Sequence, residues 1–149
     1  MTRRSLVVDA NILVSGVLGT RVSSLIASAQ SVTLLTPDAA CEEAREHLGD
    51  LIPRRGLDPE IAWTAFEEML LAVLPVEADK YDGWRNEAYA RLERRDPDDW
   101  PILALALAVD CPIWTEDRDF FGAGVATWTT DRVDRFFVGA SKSDGDDAS

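Results

Sequence analysis

Two hydrophobic periods alternate along this chain, and the switches between them mark out its elements. Leu6-Val7-Val8 is a short apolar run of strand type that ends at Asp9. Ile12, Leu13, Val14, Val17 and Leu18 follow as a helix start, and a helical pattern continues from Val22 to Ala29. Val32-Thr33-Leu34-Leu35 is a second β-branched run. Thr36-Pro37-Asp38 then opens a helix to about Leu48, since proline is tolerated early in a helix and an acid favours its first turn. Gly49 to Gly56, with a proline and two arginines, is expected to be loop. Asp58-Pro59-Glu60 starts another helix, carrying Ile61, Ala62, Phe66, Met69, Leu70 and Val73 at helical spacing. Leu74-Pro75-Val76 reads as an edge strand, because proline cannot donate to a ladder.

In the second half, Tyr81 to Arg95 is patterned as an amphipathic helix with Trp84, Ala88 and Leu92 on one face. Asp96-Pro97-Asp98-Asp99 precedes Trp100 to Ala108, which is apolar on all sides and suits a central helix packed on several neighbours. Asp110-Cys111-Pro112 breaks it. Ile113-Trp114-Thr115 and Val125-Ala126-Thr127-Trp128 are the last strands, and Thr129-Thr130-Asp131 caps a final short helix. Short strands alternating with helices imply an α/β fold with a parallel sheet covered on both faces. The chain shows no repeat or linker, so one domain is expected over residues 1–138, with an acidic, disordered tail over 139–149.

Composition narrows the function. Apolar content of 46% and charged content of 28% are ordinary for a soluble globular protein. The longest apolar stretch, Trp100 to Val109, is too short to span a bilayer, and the N-terminus lacks the pattern of a signal peptide. No membrane partner and a cytoplasmic location are therefore expected. Cys41 and Cys111 are far apart and form no CxxC pair, which suits reduced packing thiols. The single histidine, His47, reads as a surface residue, so no Ser/His or Cys/His nucleophile scheme is supported. Net charge is −12, from 27 acids against 15 bases, whereas a nucleic-acid binder usually shows a basic footprint. Either the acids are gathered to bind cations, or the protein has nothing to do with nucleic acid.

The acids at element boundaries favour the first alternative. Asp9 stands at the carboxyl end of an inner strand, where open α/β sheets place their ligands, although alone it reads as a helix cap or turn. Asn11 is either a cap or a group that orients Asp9. Glu42, Glu43 and Glu46 form a solvent-facing stripe unless their helix turns toward Asp9. Asp96, Asp98 and Asp99 are more acid than one helix cap requires, and bound cations would relieve their repulsion. Asp117 and Asp119 follow a strand and alone read as a turn. In a parallel sheet, however, Asp9 and Asp117 emerge on one edge, and the helix start at Asp99 crowds the same edge. Clustered oxygen donors without nearby His or Cys select Mg2+ or Mn2+ over zinc.

Val8-Asp9-Ala10-Asn11-Ile12-Leu13, Glu42-Glu43-Ala44-Arg45-Glu46-His47-Leu48, Asp99-Trp100-Pro101-Ile102-Leu103-Ala104 and Thr115-Glu116-Asp117-Arg118-Asp119-Phe120 occur in an order and spacing that resembles the PIN-domain ribonucleases. That family includes the VapC-like toxins of toxin–antitoxin pairs. The match runs from about Leu6 to Phe137; Trp100-Pro101 is bulkier than the small residues often found at that place. The resemblance implies a three-layer fold with a central parallel sheet of about four to five short strands flanked by helices. It implies Asp9, Glu43, Asp99 and Asp117 as catalytic and metal-holding residues, Asp119 as an auxiliary metal ligand, and Mg2+ or Mn2+ as cofactor. Spacing to Leu48 assigns the helix glutamate to Glu43, whereas counting from Pro37 assigns it to Glu42. Asn11 and Thr115 would orient carboxylates or waters; Arg94, Arg95 and Arg118 read first as solvated surface, with contact to an RNA backbone as the alternative. An RNA substrate, an antitoxin protein and homodimerisation are implied in the same way.

Two rivals remain at this level. A phosphatase using Asp9 as nucleophile wants a second Asp where Asn11 stands, and a lysine where the chain offers only Lys80 and Lys142. A catalytically inactive PIN fold, serving metal binding or protein interaction, suits the acidity but not the presence of all four acids.

Overall fold

The central strand is β1 (Arg4–Val8), whose last three residues are fully buried, as expected of a strand covered on both faces. β2 (Val32–Pro37) and β3 (Val73–Val76) lie to one side of it, and β4 (Ile113–Trp114) and β5 (Thr127–Trp128) to the other. All pairings are parallel, giving one five-stranded sheet in the order β3-β2-β1-β4-β5 in this computed structural model, which describes residues 3–139. The expected α/β fold with a covered parallel sheet is what forms. The expected tail lies, apart from helical Gly139, outside the described residues.

The connections set the layers. α1 (Ala10–Leu18) and α2 (Thr20–Ser28) link β1 to β2, and α3 (Asp38–Arg54) and α4 (Pro59–Ala72) link β2 to β3. Both crossovers advance in one direction, so right-handedness puts these helices on one face, where α1 packs on α2, α3 and α4. From β3 the chain passes through α5 (Arg85–Leu92) and α6 (Trp100–Val109) back across the sheet to β4, which puts them on the other face. α6 touches β1, β2 and β4, and Ile102 to Ala106 are all buried, as its apolar surface requires. A last helix, α7 (133–139), buries Val133, Phe136 and Phe137, the last packing edge-on against Trp114.

Four local expectations are corrected. The helix of β2–α3 does not stop at Leu48 but runs to Arg54, because Ala40, Cys41, Ala44, Leu48 and Ile52 form one continuous buried stripe. Pro53 falls in the last turn, where its missing N–H forfeits little, and Gly56 at φ 65° ends the segment. Val73 leaves α4 to become the first, buried residue of β3. The Tyr81–Arg95 pattern yields one single-turn 3-10 segment, Asp82–Trp84, followed by the shorter α5, so Trp84 is 43% exposed while Tyr81 is buried in its place. The last strand is limited to Thr127–Trp128.

α1 and α2 are separate helices bent by 110° at Gly19; among the described residues no single helix is long and apolar enough to cross a membrane. Cys41 and Cys111 are free thiols, and burial raises their pKa values to about 11 and about 12.

Candidate metal centre

β1 continues for one more ladder bond, in which the Asp9 N–H donates to the Trp114 carbonyl at 3.1 Å. This ties the acid to the neighbouring strand β4. Its extended backbone (φ −77°, ψ 159°) makes it the N-cap of α1, with Oδ1 accepting the Ala10 N–H at 2.7 Å. Oδ2 accepts the Thr115 hydroxyl at 2.6 Å. Thr115 Oγ1 in turn accepts the Asp117 N–H at 2.9 Å, and Asp117 Oδ1 accepts the Asp119 N–H at 2.9 Å. Every cap or turn suggested by the sequence for these acids is therefore made. The same bonds fix the carboxylates at the carboxyl ends of β1 and β4, the switch point of the sheet.

α3 and α6 lie on opposite faces, yet they contact one another across this edge. Between α1, α3 and the turn before α6 lies a cleft of about 450 Å³ that Asp9, Glu43, Asp99 and Asp117 all line, together with Asp96 and Asn11. Carboxylate oxygens of Asp96, Asp99 and Asp119 lie within 4.8 Å of one another. The fold thus gathers the five acids that the resemblance implies. Glu43 faces the cleft, whereas Glu42 points away, its side chain 73% exposed and 4.0 Å from Arg45.

Three residues of this cleft are not among those assigned to the site from sequence. Asp96 caps the 3-10 turn Pro97–Asp99 by accepting the Asp98 N–H at 3.1 Å and still faces the cleft. Its signal was the surplus of acid before α6. His47 and Arg55 line the cleft from α3; the four-residue spacing Glu43, His47, Leu51, Arg55 was the available sign, hidden by expecting a loop from Gly49. Arg95, which reads from sequence as solvated surface or an RNA contact, donates to the Asp119 carbonyl at 3.1 Å. Arg94 and Arg118 are exposed and do not line the cleft.

Crowding shows in the electrostatics. Burial pushes the Asp9 pKa up to about 6, against the hydrogen bonds from Thr115 and Ala10, and the Glu43 and Asp117 charges add to the rise. Asp99 is pushed up to about 8 by burial, then by the charges of Asp9 and Asp96 and a side-chain hydrogen bond with Asp117. A divalent cation would relieve this like-charge strain, and a donor set of carboxylate oxygens fits Mg2+ or Mn2+.

The PIN domain family profile matches residues 7–137. No curated protein matches the chain in sequence. Among solved structures, the chain is similar to one in VapBC2 from Rickettsia felis bound to a DNA fragment from their promoter, with TM-score 0.66 and 14% identity, covering 84% of this chain and 98% of that one. It is similar to PAE2754 from Pyrobaculum aerophilum, with TM-score 0.67 and 16% identity, covering 94% and 91%. It is also similar to FitAcB from Neisseria gonorrhoeae, with TM-score 0.53 and 22% identity, covering 84% and 97%. At these identities the likeness is one of fold. With a profile match over nearly the whole described chain, this protein belongs to the PIN domain family.

Proposed function

We propose that the protein is a Mg2+- or Mn2+-dependent endoribonuclease, cleaving phosphodiester bonds of single-stranded or loop RNA as the toxin of a toxin–antitoxin pair. The observation that carries this reading is the convergence of carboxylates from four separate places: the end of β1, the middle of α3, the turn before α6 and the segment after β4. Unpaired structural acids have no reason to be collected in one partly buried cleft, where their mutual repulsion costs stability. Membership of a family whose members are generally nucleases supports it.

In this reading Asp9, Glu43, Asp99 and Asp117 hold the metal, with Asp119 as auxiliary ligand. A bound divalent ion supplies charge to neutralise the scissile phosphate and lowers the pKa of the attacking water. The protein's own groups do the positioning: Thr115 and the Ala10 N–H hold both Asp9 oxygens, and Asn11 stands beside them at the cleft. An antitoxin protein partner, a homodimer and a cytoplasmic location complete the reading. The similar VapBC2 structure contains promoter DNA, which supports a partner-dependent setting of this kind.

The test is cleavage of hairpin and unstructured RNA by the purified protein with Mg2+, with Mn2+ and with chelator, alongside Asp9→Asn and Asp99→Asn. Metal-dependent cleavage lost in both variants is expected. Equal cleavage by wild type and variants overturns the mechanism, and metal binding without cleavage of any RNA would point to the non-catalytic module.

A further inference from the structure

The cleft is not only an acidic pocket. It continues as a groove between two helices, with Asn11, Val14, Ser15 and Leu18 on the α1 side and Glu43, His47, Leu51 and Arg55 on the α3 side. Glu43, His47 and Leu51 are successive four-residue steps on one face of α3 and Arg55 is its C-cap, so Glu43 and Arg55 are separated by about 18 Å along the axis. One end of the groove is therefore carboxylate, the middle is apolar with a histidine, and the far end is a guanidinium.

We infer that this groove carries the RNA strand away from the scissile phosphate, with His47 and Arg55 each binding a backbone phosphate along it. The inference rests on the proposed nuclease reading and adds the path of the substrate. Three observations support it. Among the described residues, the ion pairs involve Arg45 and Arg91, so the exposed Arg55 side chain keeps its charge for a ligand. Of the other arginines near the carboxylates, Arg91 donates to the Ala123 carbonyl and Arg95 to that of Asp119, and neither Arg94 nor Arg118 lines the cleft. The Arg55 backbone is held by its N–H donating to the Leu51 carbonyl at 2.9 Å, which fixes the root of the side chain at the groove's end.

The chemistry fits a phosphodiester strand. Guanidinium binds phosphate through two parallel N–H groups, and imidazole donates one. Leu51, Val14 and Leu18 offer apolar surface to bases or ribose between those contacts. This arrangement also answers the charge of −12. The molecule needs no broad basic face, because two cationic or donor groups in the groove extend what the metal does locally.

The experiment measures binding of a short labelled single-stranded RNA by fluorescence anisotropy over a salt series, with Ca2+ in place of Mg2+. Wild type, Arg55→Ala, Arg55→Lys, His47→Ala and the off-groove control Arg54→Ala are compared. Arg55→Ala is expected to weaken binding about tenfold and to reduce the slope of log affinity against log salt by about 0.7, the value of one single-strand phosphate contact. Arg55→Lys restores most of that slope, His47→Ala weakens binding less, and Arg54→Ala leaves both quantities unchanged. In cleavage assays Arg55→Ala raises KM with little change in kcat. Thermal midpoint and Mn2+ affinity, measured in parallel, stay at wild-type values. RNA affinity and salt slope unchanged in Arg55→Ala and His47→Ala, while wild type binds and cleaves RNA, overturn the groove and leave the nuclease reading intact. Wild type that neither binds nor cleaves RNA overturns both, and loss of a protein partner instead of RNA on Arg55→Ala assigns the groove to that partner and overturns the inference.

Discussion

The Thr115 hydroxyl donates to Oδ2 of Asp9 at 2.6 Å across 106 positions of sequence, and the same oxygen of Thr115 accepts the Asp117 N–H at 2.9 Å. One buried side chain thus sets the spacing between the acids at the ends of two adjacent strands. Replacing it by the isosteric Thr115→Val removes the donor to Asp9 and leaves the Asp117 N–H without its acceptor. Mn2+ affinity, measured by titration calorimetry, should fall about 10–100-fold, as for loss of other groups that orient metal ligands. Denaturant unfolding should show a loss of about 1–3 kcal/mol from the unsatisfied group. Thr115→Ser, which keeps the hydroxyl, should stay near wild type in both. Wild-type Mn2+ affinity in Thr115→Val would remove Thr115 from any role at the centre.

The raised carboxyl pKa values give a second prediction. Asp9 at about 6 and Asp99 at about 8 both lie above the ordinary 3.8, so between those limits the native state holds more protons than the unfolded chain. Stability of the metal-free protein therefore falls as pH rises from about 4 to about 8, the reverse of a salt-bridged carboxylate. A divalent ion competes with those protons, so its affinity rises over the same window and binding releases protons. Melting curves in chelator and in Mn2+ should diverge as pH increases from 5 to 8. Parallel curves would show that these carboxylates do not bind the ion.

The same strain makes Asp99→Asn informative beyond activity. Its carboxyl is pressed by burial and by the charges of Asp9, Asp96 and Asp117, and an amide carries none of that cost. Without metal at pH 8, the variant should be more stable than wild type by about 0.5–2 kcal/mol, the usual scale when a strained functional group is relieved. Added Mn2+ should raise the wild-type melting temperature and leave that of the variant unchanged. A variant destabilised under chelator would mean that Asp99 contributes to the fold itself.

Much of this centre was legible in the chain because each acid sits at a boundary the hydrophobic pattern marks clearly. Leu6-Val7-Val8 and Ile113-Trp114 are short apolar, β-branched or aromatic runs bounded by polar residues, which suits buried strands and puts Asp9 at the end of one and Asp117 just past the other. What local pattern could not supply was tertiary override. Gly49 and Pro53 signal a break, yet burial of Ile52 carries α3 through both, and with it Arg55 into the cleft. Trp84 fits the apolar face of a helix on paper, but that helix starts one residue later and Tyr81 takes the buried place, its hydroxyl donating to Asp38 at 2.5 Å. Arg95 illustrates the limit for function. Nothing in its neighbours says that a loop carbonyl, rather than a substrate, will occupy it.

That loop yields the last prediction. Arg95 donates to the Asp119 carbonyl and Arg91 to the Ala123 carbonyl, so two arginines near the end of α5 clasp the segment that carries Asp117 and Asp119. Gly122 and Gly124 make the clasp achievable. Both have positive φ, 82° and 89°, and a Cβ on either would lie 2.8 Å from Arg95 Nη2 or 2.5 Å from Arg91 Nη1. Gly124→Ala should cost about 1–3 kcal/mol through backbone strain, and removing Arg91 in the same chain should relieve only the steric part. Arg95→Ala acts on the centre instead: the fold keeps its core, while the loop loses the tie that holds Asp119 beside Asp96 and Asp99. Mn2+ affinity should therefore fall by roughly 10-fold, with a smaller change in thermal midpoint than in Gly124→Ala. If Arg95→Ala binds Mn2+ as tightly as wild type and instead loses RNA affinity and salt dependence, the residue contacts substrate and the clasp is not what places Asp119.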